Sequence, residues 1–315
     1  VIQNSRNRFF IIVGGVIFAI VLVSIIAAYP YFLRYYLDAE KYDKFGIAKL
    51  YPTVANGRQW FSNWDNGEAR NLESGSRDPF NDEFIARGDG TIAIDGHGTA
   101  SMKGESPRMY IYDEARAKKW DNVEVTIYMK RGEIIKESGS QGLIIGTRSN
   151  HQDTDINPCN GATYYSRALY DGEVDFKKEL VHQAPDNIGD SITAPESTRN
   201  KWDTENGQMP GNVWIGFKFI TRTVDDGRYV NLELYRDMTD GYLGGKWEKI
   251  IEYKDTGGWT NMDLTELDIA KECGNNLHMK SDQILLDPGT SILVRNDWIN
   301  SSLYKNFSIR EISPA

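Results

Sequence analysis

Two patterns of hydrophobic and polar positions divide the chain. The first is Phe9 to Tyr29, FFIIVGGVIFAIVLVSIIAAY, 21 positions without a charge. At about 1.5 Å of rise per residue the run measures roughly 31 Å, close to a bilayer core of about 30 Å, and it predicts a membrane-spanning helix. A cleaved signal peptide has an apolar stretch of only about 7–15 residues and a small-residue cleavage site. Here the run continues into Tyr29, Tyr31, Phe32, Tyr35 and Tyr36, rings suited to a membrane interface. Pro30 lacks a backbone donor and kinks or ends the helix at the exit. Beyond it, Phe32 with Tyr36 and Leu33 with Leu37 are i, i+4 apolar pairs that predict a helical stalk from Tyr31 to about Phe45.

After Pro52 the second pattern takes over, short β-type runs broken by Gly, Asn and Asp. In NVEVTIYMK, Val123, Val125, Ile127 and Met129 face one way and Glu124, Thr126, Tyr128 and Lys130 the other. The same alternation runs through VWIGFKF (213 to 219) and YVNLELY (229 to 235), with Asp226-Gly227 between them as a hairpin signal. Further strands are predicted at 91–94, 108–112, 142–148, 163–170, 176–182, 247–253, 291–295 and 307–312. About a dozen strands in roughly 260 residues, with no long helix among them, predict an all-β unit of two large antiparallel sheets packed face to face. The expected organisation is a cytoplasmic N-terminus (1–8), a transmembrane α-helix (9–29), a juxtamembrane stalk (30–52) and an extracytoplasmic two-sheet jelly-roll β-sandwich (53–315).

Charge sets the orientation. Three of the 36 basic residues and none of the 45 acids lie within residues 1–36, and Arg6 and Arg8 precede the span without an acid nearby. By the positive-inside rule the N-terminus is cytoplasmic and the sandwich external, which makes this a cell-membrane, cell-surface protein. Within the span, Gly15 with Ala19 and Ser24 with Ala28 are small residues four apart, a spacing that lets helices pack in lipid through self-association or against another membrane subunit. The net charge of −9 and the absence of a basic run exclude nucleic acid as a partner.

The histidines His97, His151, His182 and His278 are scattered rather than spaced as metal ligands, and two cysteines are too few for a four-thiolate zinc site. An external location permits Cys159 and Cys273 to form a disulfide. It also makes the acceptor patterns at Asn300 and Asn306 usable for glycosylation, Asn300 being the better placed because Asn306 falls inside a predicted strand.

The segments WFSNWDNGEA, WDNVEVTIYMKR with SQGLIIGTRSNH, VNLELYRD with GGKWEKIIEYKD, and SILVRND with YKNFSIREI resemble, in their order, the concanavalin A-like lectin/glucanase superfamily, whose jelly roll includes laminin-G-like modules. The resemblance covers about residues 58 to 312, implies the jelly-roll fold, and makes sugar the shared functional theme. Calcium is common among its members and is the candidate cofactor here, with Asp225, Asp226, Asp237, Asp240 and Asp255 in turn-rich stretches as hard oxygen donors.

Two catalytic arrangements known in that superfamily have partial counterparts. Glu173, Asp175 and Glu179 approximate a glucanase carboxylate motif one residue too long. In an unbroken strand Glu173 and Glu179 sit about 20 Å apart at roughly 3.3 Å per residue, too far for the carboxylate pair of a glycosidase. They read as a solvated charged strand face with Lys177 between the acids. Arg148, Asn150, His151, Tyr165 and Arg167 have the chemistry of a polysaccharide lyase, a cation to neutralise a uronate and groups to move a proton. The eight tryptophans and 17 tyrosines supply stacking surfaces for sugar, most of them expected in the core. The expected function is binding of a glycan or a protein partner without catalysis. The alternatives are a structural subunit of a surface filament, since pilin-type subunits also place a proline-kinked apolar helix before a β-rich head, and an anchored polysaccharide hydrolase or lyase.

Overall fold

The computed structural model describes residues 40–136, 139, 141–153, 160–182, 192–198, 202, 204–257, 259 and 284–314. The expected span at 9–29, its small residues Gly15, Ala19, Ser24 and Ala28, and both Cys159 and Cys273 lie outside them. Among the described residues no helix is long and apolar enough to cross a membrane. Two compact units are present, Val1–Lys49 and Leu50–Ala315. In the first, the expected stalk helix does not reach Phe45. Tyr42 bridges to Ala48 across a turn in which the Asp43 carboxylate accepts the amides of Phe45 and Ile47. A side-chain acceptor of this kind competes with helical hydrogen bonding.

The second unit is all-β. Its strands are β1 (Gln59–Phe61), β2 (Arg70–Glu73), β3 (Arg77–Asp78), β4 (Asn81–Arg87), β5 (Gly90–Ile94), β6 (Thr99–Gly104), β7 (Arg108–Ile111), β8 (Val123–Lys130), β9 (Gly142–Ser149), β10 (Gly161–Leu169), β11 (Val174–Val181), β12 (Ile192–Thr198), β13 (Trp214–Val224), β14 (Tyr229–Asp237), β15 (Glu248–Asp255), β16 (Ser291–Arg295) and β17 (Ile299–Glu311). They form a nine-stranded sheet ordered β15-β14-β13-β8-β17-β6-β5-β2, with β1 paired to β17, and an eight-stranded sheet ordered β12-β11-β10-β9-β16-β7-β4-β3. Neighbours in the two orders are often distant in sequence, as β8 beside β17 and β9 beside β16, which is the winding of a jelly roll. Two antiparallel sheets are as the alternation predicted. The Asp226-Gly227 signal is also placed correctly: Val224 pairs with Tyr229, and Asp225, Asp226 and Gly227 take left-handed backbone with φ of 54°, 58° and 84°.

The inner faces supply the core. Val125, Ile127, Met129, Phe217, Phe219, Leu232 and Leu234 from one sheet meet Leu143, Ile145, Val174, Phe176 and Val294 from the other in one cluster, with Phe176 stacked on Phe219 at 5.8 Å. Burying each such side chain stabilises the fold by about 1.5–3 kcal/mol relative to exposure. A charged pair crosses this layer: the Lys178 ammonium on β11 lies 2.8 Å from the Asp255 carboxylate on β15, both fully buried. The Tyr164 hydroxyl donates to the same carboxylate at 2.6 Å.

The outer faces depart from expectation. Glu124, Thr126 and Tyr128, the polar side of β8, are as buried as its apolar side. Chain segment 50–53 lies over Glu124: the amides of Leu50 and Tyr51 donate to Glu124 Oε2, and Arg310 donates to the Tyr51 carbonyl and the Thr53 hydroxyl, while Lys218 donates to Thr126 and Tyr128 packs edge-on against Trp247. Both predicted acceptor asparagines, Asn300 and Asn306, lie within β17. The Asn300 side-chain amide donates to Glu133 at 2.9 Å, so it is not the loop position expected.

Candidate functional site

The site is built on the outer face of the eight-stranded sheet. In β4, β7 and β16, the residues Ala86, Met109 and Val294 point into the core, so alternation sends Ile85 and Arg87, Tyr110 and Arg108, and Leu293 and Arg295 outward. Register then stacks three like charges across adjacent strands, Arg87 opposite Arg108 and Arg108 opposite Arg295. Like charges placed directly opposite are destabilising, by a few tenths of a kcal/mol to about 1 kcal/mol per pair. Asp297 neutralises Arg295 through contacts of 2.5–2.9 Å, and Arg87 donates to the Tyr112 hydroxyl at 3.0 Å. Arg108 donates to the Ser106 carbonyl at 3.0 Å and faces no carboxylate within ion-pair distance among the described residues. Gly88, with φ of 76°, keeps this corner tight. A Cβ there would stand 2.0 Å from the Ser106 carbonyl oxygen and 2.8 Å from the Arg108 guanidinium.

Beside the arginine row is a recess of about 150 Å³ lined by Arg87, Gly88, Arg108, Tyr110, His151, Gln152 and His182. Its floor is a chain of polar side chains in close succession. The Tyr110 hydroxyl lies 2.8 Å from His151 Nδ1, His151 Nε2 lies 3.7 Å from Glu179 Oε2, and His182 Nδ1 lies 2.7 Å from Glu179 Oε1. The Tyr165 hydroxyl donates to Glu179 Oε2 at 2.5 Å. Adjacent strands explain the convergence. His151 follows β9, Tyr165 lies on β10 where Thr163 pairs with Glu179 of β11, and His182 follows β11. Burial, with smaller repulsion from His182, Arg108 and Arg295, holds the His151 imidazolium pKa down to about 3, so the ring is neutral near pH 7. Burial and then the Glu179 carboxylate push the Tyr165 phenol well above its ordinary value, keeping its proton in place.

Several sequence expectations are corrected here. The histidines are scattered in the chain but not in space: His151, Glu179 and His182 place one ligand atom each within 4.8 Å of one another. Asp175 and Glu179 are buried rather than solvated, because β11 is an interior strand of its sheet and Arg167 turns onto Asp175 in a bidentate ion pair. Glu173 sits just before β11, its amide bonded to Asp171.

Of the lyase-type set, His151 and Tyr165 meet at one carboxylate, while Arg148 does not join them. Its left-handed backbone (φ 47°) breaks the alternation of β9, and its guanidinium serves the Leu285 and Leu286 carbonyls, Asn122, Thr223 and Asp121. Asn150 caps the turn by accepting the Gly161 amide. The turn aspartates do not make an oxygen cage for calcium. Asp225 pairs with Lys254, Asp240 with Lys305 and Asp255 with Lys178, and Asp237 accepts from Tyr128, Thr239, Gly241 and Lys246. Five of the eight tryptophans are buried and the other three are half-buried, so no exposed tryptophan row is available for stacking.

No family model and no curated protein matches the chain. Among solved structures the chain is similar to the receptor binding domain of botulinum neurotoxin mosaic serotype C/D, at 10% identity and a TM-score of 0.40, covering 80% of this chain and 49%, about half, of that one. It is also similar to Lotus tetragonolobus seed lectin, at 10% identity and a TM-score of 0.37 over 77% of this chain and 97% of the lectin. A third is the Emp46p carbohydrate recognition domain in its metal-free form, at 9% identity and 0.40 over 80% and 99%.

Proposed function

We propose that the chain is a membrane-anchored cell-surface protein whose external sandwich binds an acidic, carboxylate-bearing glycan on the outer face of the eight-stranded sheet, without catalysis. The observation that carries the reading is the arginine row Arg87, Arg108 and Arg295, with Arg108 facing no carboxylate among the described residues and opening on the recess. A guanidinium beside a recess, set against two others, lowers its energy by receiving an anion, and a planar fork suits a carboxylate. Phe9 to Tyr29 supplies the anchor and Arg6 with Arg8 the cytoplasmic side. Asp175 is committed to Arg167, and Glu179 to Tyr165 and His182, which argues against hydrolysis by the carboxylate set read from the sequence.

The convergence of His151 and Tyr165 favours a second reading, a lyase acting on the same class of acidic polysaccharide. Against it, the Tyr165 proton is held by the Glu179 carboxylate and Arg167 is committed to Asp175. One experiment separates these readings. The full-length chain is presented with uronate-containing and neutral oligosaccharides, and both binding and new unsaturated uronate ends are measured. Binding of uronates alone, weakened about tenfold in Arg108→Ala and by added salt, with no cleavage, is the expected result, tenfold being about 1.4 kcal/mol. Cleavage would move the assignment to the lyase, and equal affinity for neutral sugars would remove the anion reading.

A further inference from the structure

We propose that His151, Glu179 and His182 form a three-ligand site for a divalent transition ion of the zinc type, with its open coordination position facing the recess beside Arg108. The donor set is two imidazoles and one carboxylate, a nitrogen-rich combination that suits zinc and its neighbours in the first transition row and does not suit calcium, which takes oxygen. Tetrahedral zinc with bonds of about 2.0–2.2 Å needs donor atoms about 3.4 Å apart. His182 Nδ1 lies 2.7 Å from Glu179 Oε1 and His151 Nε2 lies 3.7 Å from Glu179 Oε2, the two oxygens of one carboxylate, and one donor atom from each residue lies within 4.8 Å of the others. Small side-chain rotations therefore close the site without moving a strand.

The groups behind the donors are those a metal site uses to fix its ligands. The Tyr110 hydroxyl engages His151 Nδ1 and leaves Nε2, the atom nearer Glu179, for the ion. Ser149 Oγ accepts the His151 amide at 3.1 Å, which holds the turn carrying that ring. The Tyr165 hydroxyl donates to one oxygen of Glu179 and leaves the other toward His182. Glu179 lies within β11, His182 directly follows it, and His151 stands two residues past β9, so the geometry is set close to sheet backbone.

Glu179 offsets part of the ion's charge, while Arg108 and Arg295 oppose it, and the site should bind zinc more weakly than a closed structural site does. The open position points where an anionic ligand would sit, so metal and guanidinium would hold one carboxylate between them. The metal site stands without the glycan reading, and its test contains no sugar.

The test uses zinc chloride and cobalt chloride with the full-length chain after treatment with a chelator. One zinc per chain by calorimetry is expected, weakened at least tenfold in His182→Ala and in Glu179→Gln and unchanged in His97→Ala. His182 retains partial exposure, so its variant should keep the metal-free unfolding midpoint, and equal midpoints make the loss one of ligation. Cobalt on the unsubstituted chain gives a readout that needs no variant, the strong visible absorption of a four-coordinate site. Failure of the unsubstituted chain to bind zinc, binding that survives both substitutions, or only the weak absorption of octahedral cobalt would each overturn the proposal.

Discussion

The outer faces of the two sheets carry similar numbers of charges and use them in opposite ways. On the nine-stranded sheet, Glu124 lies between Lys218 and Arg310, each 2.7 Å away, and segment 50–53 closes over the group. Further along that face, Glu233 receives Tyr51, Tyr235 and Asn231, with Arg222 and Lys249 at 3.5–3.6 Å. Here opposite charges meet one another, and the group around Glu124 is covered. On the eight-stranded sheet three arginines stack across strands, one of them without a carboxylate partner among the described residues, and the face opens into a recess. A face that has satisfied its own charges has nothing left to offer a ligand. The unsatisfied face is the one that can bind.

The largest expected effect breaks the sealed face. Glu124→Ala leaves Lys218 and Arg310 buried without their shared counter-ion, and removing one partner of a buried pair costs about 3–5 kcal/mol. Chemical unfolding of the full-length chain measures it, and a loss below about 1 kcal/mol would mean that water enters and the face is not sealed. Protonation should act in the same direction. Burial alone would raise the Glu124 carboxyl, and Lys218 and Arg310 more than reverse this, so its folded pKa lies below the ordinary 4.5. A depressed carboxyl contributes stability that is fully present above its unfolded value and is lost as pH falls through the folded one. Stability should therefore decline as pH drops below about 4.5, and Glu124→Gln should flatten that decline. A profile unchanged by the substitution would place the acid sensitivity elsewhere.

Next in size is the strap itself. Tyr51 donates to both Glu233 oxygens at 2.9–3.0 Å while Arg222 lies 4.0 Å from its ring centre. Tyr51→Phe keeps the ring and removes the hydrogen bond, which should cost about 1 kcal/mol in the same unfolding experiment. No change would mean that ring packing and the backbone contacts to Glu124 and Arg310 hold segment 50–53 in place.

This contrast also marks what can be read from the chain alone. Strands with β-branched alternation, such as β8, β13 and β14, are visible because period-two burial leaves a period-two pattern. β2 (RNLE) and β6 (TASMKG) are not, since they contain few residues that prefer strands and are held by pairing to neighbours. The sealing of Glu124 has no local signal, because the cover comes from Leu50 and Tyr51, more than seventy residues earlier.

The site was partly legible. His151 and Tyr165 belong to one candidate catalytic set in the sequence and Glu179 to the other, and the signal that joins them is the antiparallel run β9, β10, β11. Arg108 escaped notice because a lone arginine inside RMYIY looks like a solvated position. Only register reveals the arginines on either side.

The smallest expected effect is the most pointed test of the comparison. Arg108→Ala removes a charge that stands directly opposite two others, relieving repulsion of a few tenths of a kcal/mol to about 1 kcal/mol per pair, and gives up one hydrogen bond to the Ser106 carbonyl. These terms nearly cancel, so the unfolding midpoint should stay level or rise slightly, even as uronate binding weakens about tenfold. A residue retained for function commonly costs stability in this way. A drop of more than about 1 kcal/mol would show instead that Arg108 braces the β4–β5 corner, and the two faces would then differ in shape rather than in purpose.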